Sequence, residues 1–539
     1  MKLDMLWEEE MCIISGDNRS WQDEETPKTV IELWCRAKSG HSVLVLVNGL
    51  RPYMEIFDPN ISHNSTEKNL SLDFVERMKE VDGPPESVGN KLFEGEMKEF
   101  WRIYVCETWS VPKLRDKLKK LGWVVTSADI NFAQRLLLDC DLGPHIKVKG
   151  SVLWADIRSP DEAKNNSNSD SQIANKNIKK VGGAGIYPVD MIISCTFDCL
   201  EKTLPFPTPF VTFSFDLETS IKTNEILCAA AVIQRDNERS EHTFTGDEEN
   251  IMKGLTNLIR SEDPDIITGY NIDNFDLPRM KERAEDLYGK QKFKLSQLNG
   301  WGRVPLIENE TKRLLPERRQ NRVWRIPGRI PLDAWWQARQ TLRPQRESLR
   351  YVSQLLWPDD DEMHKLDIDS SQMDREWEER PEEVLEYCVR DTIIPIDILN
   401  KLQSIGRKEA LASVSMTTVD IAATATTSWW IDSLVIRLAD RSGIAIPMTK
   451  SGPRRRDQIA GGYVHEVEAG MRPWIAVLDF KSMYPSIMIS NNICSTTLVR
   501  NEKDNSEEDN ISPITNTRYI SSNNRKGLVP QLLEHLMQS

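Results

Sequence analysis

Residues 207–220 read PTPFVTFSFDLETS, and this stretch decides the fold. From Phe210 to Leu217, β-branched and aromatic residues alternate with small or polar ones, the period of a strand with one buried face, and the run ends in Asp216 and Glu218. A spacing of two puts both carboxylates on the same face of such a strand. Acids so placed occur on ordinary solvent-facing strands. They are also what a divalent-cation site needs, because Mg²⁺ takes oxygen ligands and keeps several of its waters. The spacing alone leaves both readings open.

Farther along, PDIITGYN (264–271) is a short apolar strand that runs into IDNFDLP (272–278), where a helix begins. Asp276 at that helix start suits a cap favoured by the helix dipole, and it equally suits a third metal-facing carboxylate. PEEVLEYCVRD (381–391) reads as a helix with proline in its first turn. Tyr387 and Asp391 are four apart and share one face of it, either as structural residues or as a phenol beside a carboxylate that positions an attacking water. Hydrolysis of a phosphodiester at neutral pH is commonly assisted by two divalent ions about 3.5–4 Å apart, so a set of converging acids has a definite chemical use.

Around this core the chain divides by pattern. The first 155 residues alternate β-type runs (Thr29–Trp34, Ser42–Val47, Phe100–Val105, Gly122–Thr126) with an amphipathic helix, Val111–Leu121, and read as an α+β domain. Residues 156–205 are a connecting segment containing a stretch rich in Asn, Ser and Gly, between Ala163 and Gly185, that is too polar to pack. Residues 206–405 form a second domain, 406–450 a helical connection with helical periodicity over Ala410–Leu438, and 451–539 a third unit with an apolar strand at Trp474–Leu478. The fold class is thus mixed, α+β and multidomain.

At 539 residues, with 69 Lys+Arg against 83 Asp+Glu, the chain carries a formal charge of −14. A hydrophobic fraction of 39% and a charged fraction of 28% exclude a wholly disordered chain. The longest apolar runs, Ser42–Val47 and Ile226–Ile233, fall far short of a bilayer span, and the start MKLDMLWEEE lacks the features of a signal peptide. A cytoplasmic protein with no membrane partner is expected. The nine cysteines are scattered, only Cys195 and Cys199 lie close together, and no second pair completes a zinc site, so all nine read as reduced thiols. The acidic balance argues against a nucleic-acid partner. Locally it is reversed: Lys312 to Arg350 contains eleven Lys or Arg against three acids, interleaved with Trp324, Trp335 and Trp336. That segment is either a nucleic-acid surface or a solvated face with the tryptophans as core. The acidic clusters at Glu8–Glu10, Asp359–Glu362, Asp374–Glu383 and Glu507–Asp509 read as solvated surface.

Taken in order, FDLET (215–219), YNIDNFDLP (270–278) and YCVRD (387–391) resemble the three exonuclease motifs of the proofreading domain of family B DNA polymerases, which has an RNase H-like fold. The resemblance implies that Asp216, Glu218, Asp276 and Asp391 are metal-binding carboxylates, that Tyr387 orients water, and that Asn271, Asn274 and Phe275 contact DNA. It implies Mg²⁺ in a two-metal site, with Mn²⁺ as an alternative, and metal-dependent removal of nucleotides from a 3′ end.

WIAVLDFKSMYPSI (474–487) runs from a strand into a turn and helix, where a capping aspartate and a core tyrosine would be the plain reading. It resembles the first palm motif of the same family, and the likeness continues through NNICSTTLV (491–499) and KGLVPQLLEHL (526–536). By that resemblance Asp479 is a catalytic metal ligand, Tyr484 underlies the nucleotide sugar, and the backbone of Phe480, Lys481, Ser482 and Met483 approaches the triphosphate. IAGGY (459–463) stands where the family has a Y-x-G-G/A loop, so Gly461 and Gly462 carry over as DNA contacts while Ile459 replaces the tyrosine; a simple hairpin turn is the other reading. The second palm motif, D-T-D, and the fingers motif, K-x-x-x-N-S-x-Y-G, do not occur in the sequence.

The expectation is therefore the N-terminal part of an archaeal-type family B DNA polymerase: an N-terminal domain, a complete 3′–5′ exonuclease and the first half of a palm. Leu50–Tyr53 and Phe100–Leu138 look like the archaeal N-terminal domain that scans for uracil. Its expected partners are primer–template DNA, dNTPs, a second chain bearing fingers, thumb and the rest of the palm, and, by the resemblance, a sliding clamp. Polymerisation is expected only with that second chain, for which an apolar surface around Val529–Met537 is expected to be sticky. Two rival readings are a stand-alone 3′–5′ exonuclease and a non-catalytic DNA-binding subunit.

Overall fold

The structure, a computed structural model, describes residues 6–22, 27–59, 65–155, 187–288, 301–303, 317–319, 323–360, 368–449, 465–466, 469–500 and 508–538. The polar stretch between Ala163 and Gly185 and the Gly461–Gly462 loop lie outside these residues. The chain divides into two units. One comprises Met1–Pro52, Cys106–Thr108 and Ile130–Ser433; the other comprises Tyr53–Val105, Trp109–Asp129 and Leu434–Ser539.

In the first unit the alternation of residues 210–219 becomes the strand Val211–Thr219, central in a five-stranded sheet. It pairs antiparallel with Ile226–Arg235, which pairs antiparallel with Glu238–Thr245. On its other side it runs parallel to Ile266–Thr268, and that strand runs parallel to Ile330–Pro331. Phe213, Phe215 and Leu217 point to one face and are buried together with Met252 and Leu255 of the Glu248–Glu262 helix and with Trp301. Both phenyl rings meet the edge of the Trp301 indole, at 6.3 and 5.5 Å between centroids. Burying rings of this size contributes roughly 1.5–3 kcal/mol each. The opposite face, bearing Asp216 and Glu218, is covered by the 21-residue helix Pro381–Lys401. This mixed sheet agrees with the RNase H-like expectation.

A second sheet in this unit has the strand order Leu6–Gln22, Pro27–Ala37, Ser42–Asn48, Met191–Thr196, His145–Ala155 and Leu200–Lys202, and Leu6–Gln22 also pairs with His145–Ala155, closing the sheet on itself. Residues 191–202, read from sequence as part of a connecting segment, thus supply two of its strands. Buried charge joins the two sheets. Arg36 donates from Nε and Nη2 to the Asp265 carboxylate at 2.8 Å each, Arg303 Nη2 reaches the same carboxylate at 2.8 Å, and Arg303 and Arg329 both bond Asp263. Asp265 also accepts the amide of Val211 at 2.9 Å, which pins the start of the site-bearing strand.

In the second unit a four-stranded sheet, ordered Glu86–Phe93, Glu96–Tyr104, Tyr53–Phe57 and Val124–Thr126, packs under the helix Val111–Lys120 through Met54, Ile103, Leu114 and Leu118. The Trp474–Leu478 strand expected from sequence is not formed. This segment has no strand partner among the described residues and is exposed, with Trp474 and Leu478 at 100% and 94%. Apolar, β-branched composition favours a pleated surface only where a neighbouring strand completes the ladder, so the local pattern is not sufficient here. The helix after it does form, over Met483–Ser490. In the terminal helix Leu528–Gln538, Leu528 and Leu532 are buried while Leu536 and Met537 are exposed. No helix among the described residues is long and apolar enough to cross a membrane.

Candidate active site

Asp216 and Glu218 stand on the same face of the Val211–Thr219 strand, as their spacing requires, and both are partly buried under the Pro381–Lys401 helix. That helix brings Cys388 to them. Its thiol lies 3.6 Å from both the carbonyl oxygen and Oδ2 of Asp216, and donor atoms of Asp216, Glu218 and Cys388 all fall within 4.8 Å of one another. Burial, then the neighbouring Cys228 thiol and the Asp216 carboxylate, push the Cys388 thiol well above its ordinary range. Asp391, also buried, lies three residues beyond Cys388 on the same helix. Pro395 follows one turn later and has no N–H to give the Asp391 carbonyl, so the helix ladder is interrupted beside the site.

The strand Ile266–Thr268 delivers the third acid. Gly269 permits the chain to turn here, because a Cβ at this position would sit 2.5 Å from both the Phe215 carbonyl oxygen and Ile272 Cγ2. Asn271 then takes a left-handed conformation (φ 68°), its carbonyl accepts the amides of Asn274 and Phe275, and the helix Asp276–Tyr288 starts. Asp276 is buried and its Oδ1 accepts the amide of Leu217, between Asp216 and Glu218, at 3.2 Å. Burial, followed by the negative charges of Asp216 and Asp333, raises its carboxyl well above the ordinary carboxylate range.

Asp333 was not singled out by the sequence reading. It caps the helix Ala334–Leu342 by accepting the Trp335 amide at 2.9 Å, and it also accepts the amides of Asn271 and Asp273 at 2.8 and 3.1 Å. One carboxylate therefore fixes the loop that presents Asp276. Burial pushes it up to about 6, against the pull of those three amides. An aspartate directly before Ala-Trp-Trp is an N-cap signal in the sequence, but its partners across the loop have no sequence signature.

Asp216 and Asp391 line one cavity of about 350 Å³ together with Tyr270, Asn271, Trp335 and Glu347. Tyr270 closes one side by donating its hydroxyl to the Glu347 carbonyl at 2.6 Å. Trp335 meets Trp336 at 4.7 Å between centroids, and the Arg339 guanidinium lies 5.2 and 5.3 Å from the two rings. Phe275 is exposed with the Arg279 guanidinium 5.7 Å from its ring, and Asn274 donates to the Asn271 side chain at 2.9 Å. Tyr387, by contrast, is buried in an apolar cluster with Cys228, Met373 and Val384, and it does not line the cavity among the described residues. The carboxylate donors are all oxygen, the donor type that hard divalent cations take.

The basic segment 312–350 divides. Arg329 and Trp324 are core: Arg329 bonds Asp263, and the Trp324 indole donates to the Asp273 carbonyl at 2.8 Å, bracing the same loop. Arg339, Arg343, Arg346 and Arg350 are exposed near the cavity-lining stretch Glu347–Leu349, while Lys312, Arg313 and Arg322 lie outside the described residues. In the second unit Asp479, Phe480, Lys481, Ser482, Met483 and Tyr484 are all exposed, with Ser482 left-handed (φ 51°) at the turn into its helix. Asp374, in one of the acidic clusters read as plain surface, holds the turn after the Val211–Thr219 strand by accepting the Ser220 hydroxyl at 2.6 Å and the Ile221 amide at 3.0 Å.

Comparison with known proteins gives the same assignment. Residues 125–352 match the DNA polymerase family B exonuclease domain, and residues 418–539 match DNA polymerase family B; Tyr387 and Asp391 fall between the two matches. The chain is 26% identical over 443 residues to the DNA polymerase delta catalytic subunit of Mesocricetus auratus, covering 76% of this chain and 38% of that one. It is 30% identical over 297 residues to the Drosophila melanogaster subunit of the same name (52% and 26%) and 28% identical over 480 residues to a DNA polymerase of Archaeoglobus fulgidus (87% and 53%). It thus spans about half or less of the length of these relatives. Its fold is similar, at a TM-score of 0.70 and 20% identity, to the family B DNA polymerase of Pyrobaculum calidifontis, covering 98% of this chain and 63% of that one. The motifs, the sheet that carries them and these matches agree: the chain belongs to family B of the DNA polymerases and carries its exonuclease domain and part of its polymerase domain.

Proposed function

We propose that this chain removes nucleotides from the 3′ ends of DNA in a reaction dependent on divalent cations. The observation that carries the reading is the meeting of Asp216 and Asp391 on one cavity, with Asp276 tied to the backbone between Asp216 and Glu218. Asp216, Glu218, Asp276 and Asp391 would hold the cations, Mg²⁺ by their all-oxygen donors and Mn²⁺ as an alternative. When bound, such ions supply hydroxide at neutral pH and stabilise charge on the leaving oxygen. The residues around them position the strand: Trp335 and Phe275 offer faces on which terminal bases stack, Asn271 and Asn274 offer amide groups, and Arg339 and its exposed neighbours balance the phosphates. Tyr387 stands on the helix that carries Asp391 but is buried beside Cys228 and outside the cavity lining among the described residues, so the water-orienting part expected of it has no support in this geometry. Nine free cysteines suit a reducing compartment such as the cytoplasm.

With 5′-labelled single-stranded DNA and Mg²⁺, the chain should give a ladder shortening from the 3′ end, and Asp391→Ala should abolish it. A ladder indifferent to Asp391→Ala, or no degradation by a folded chain, contradicts the reading.

A second activity has its own support in the polymerase-family match over residues 418–539. Asp479 would serve as a metal ligand for DNA synthesis and Tyr484 as the platform under the dNTP sugar, once a partner chain supplies the D-T-D and K-x-x-x-N-S-x-Y-G motifs. Gly461 and Gly462 would contact the primer–template. Co-expression with such a chain should yield primer extension that Asp479→Ala abolishes.

A further inference from the structure

Away from the carboxylate site, three different metal-ligating side chains converge inside the first unit. Cys12 lies on the strand Leu6–Gln22 and His145 on the strand His145–Ala155, and the antiparallel register makes them direct cross-strand partners. Glu409 reaches them from the helix Ser404–Ser415. Donor atoms of Cys12, His145 and Glu409 all lie within 4.8 Å of one another. The chain leading into the metal-facing strand adds Thr208, whose hydroxyl donates to Glu409 Oε1 at 2.6 Å and lies 3.4 Å from His145 Nε2. Cys12 and His145 are buried, at 0% and 3% exposure, and Glu409 is nearly so.

Hydrogen bonding alone leaves this imidazole poorly satisfied. Among the described residues its Nε2 has contacts at 3.4 Å to Thr208 and 3.5 Å to Glu409, longer than ordinary hydrogen bonds of about 2.7–3.2 Å. Its Nδ1 is buried with no hydrogen-bond partner. Buried polar groups are almost always better paired than this. A cation at Nε2 would use the lone pair that the long contacts leave idle, with the proton on Nδ1, whose pairing it does not change. Charge also balances: a thiolate, a carboxylate and a neutral imidazole around a dication sum to zero, which a buried site requires.

We propose that Cys12, His145 and Glu409 form a structural site for a thiophilic divalent cation, Zn²⁺ by donor type. The Cys, His and carboxylate donors are those zinc accepts, and Thr208 is placed to hydrogen-bond whatever fills the fourth position. Tetrahedral bonds of about 2.0–2.3 Å separate neighbouring ligands by somewhat less than about 4 Å, so the donors close in by about 1 Å on binding. The site staples four separate pieces: two strands of the closed sheet, the approach to the Val211–Thr219 strand and the helix beyond the carboxylate site. Its role is to hold these pieces together, with no part in the chemistry of the carboxylates.

The test uses the full chain carrying Asp216→Ala and Glu218→Ala, so that the other cluster of possible ligands, Asp216, Glu218 and Cys388, cannot contribute. This protein is loaded with Zn²⁺, dialysed and assayed for metal by mass spectrometry. It should retain about one equivalent per chain. Adding Cys12→Ser, or separately Glu409→Gln, should reduce retention to a small fraction, and EDTA should lower the melting temperature of the parent but not of either variant. Co²⁺ in place of Zn²⁺ should give a thiolate-to-metal absorption band that Cys12→Ser removes. Glu409→Gln keeps the size of the side chain and an acceptor for Thr208, so it reports on the cation even if Cys12→Ser fails to fold. No retained metal in the parent, or retention equal in parent and folded variants, overturns the proposal.

Discussion

Asp276 holds its proton more tightly than an ordinary aspartate because it is buried and faces the charges of Asp216 and Asp333. A cation binding there must displace that proton, so its apparent affinity rises with pH until the carboxyl ionises unaided. The Mg²⁺ concentration for half-maximal exonuclease activity should therefore fall as pH is raised; a midpoint independent of pH would contradict this. Asp333 is raised as well, and its charge acts on Asp276. Because it is raised to about 6 from an unfolded value of about 3.9, the folded chain binds its proton more strongly, and ionising it costs stability as pH climbs between those values. The stability gap between wild type and Asp333→Asn in urea should be widest near pH 4 and narrower by about pH 7, once that cost has been incurred. A gap of constant width would show that Asp333 contributes only as an amide acceptor.

The elements that carry the site depend on charge buried behind them. Asp265 accepts Arg36, Arg303 and the Val211 amide at once, so it couples the closed sheet to the start of the Val211–Thr219 strand. Removing one partner of a buried ion pair costs about 3–5 kcal/mol, far more than loss of an exposed pair. Asp265→Asn should lower stability by that order in urea unfolding, with nuclease loss following the unfolding; a loss below about 1 kcal/mol would place the coupling elsewhere.

How far such elements are legible in the sequence depends on what holds them. The Val211–Thr219 strand and the helices at Asp276 and Pro381 were readable because their signals are local: period two, a capping acid, a first-turn proline. The places of Asp216, Glu218, Asp276 and Asp391 on these elements were legible for the same reason. Asp333 was not, since its value lies in amides of a loop distant in sequence. Nor was the Cys12–His145 pair, because strand register is set by tertiary pairing and the search for cysteine pairs passes over a lone Cys opposite a lone His. Trp474–Leu478 failed in the other direction, having the composition of a strand without a neighbour to pair with.

Across the whole molecule, a charge of −14 is a poor guide to partners, because charge is distributed by function. Asp216 and Asp391 line one cavity, and the exposed Arg339, Arg343, Arg346 and Arg350 stand in the same stretch of sequence as its lining residues Trp335 and Glu347. Asp216, Glu218, Asp276 and Asp391 all belong to the first unit, and Asp479 belongs to the second. Asp479→Ala should therefore leave nuclease activity of the chain within about twofold of wild type, as expected if the two sites act independently. A large loss would show that the polymerase segment takes part in digestion.

The most direct test compares Mg²⁺-dependent release of 3′-terminal nucleotides from single-stranded DNA by the wild-type chain and by Asp216→Ala with Glu218→Ala, both verified as folded. Loss of cation-binding and transition-state stabilisation should lower the rate by at least about 10³-fold in the double variant. Equal rates, or no release by the wild-type chain at saturating Mg²⁺, would contradict the assignment of these carboxylates as the centre of the reaction.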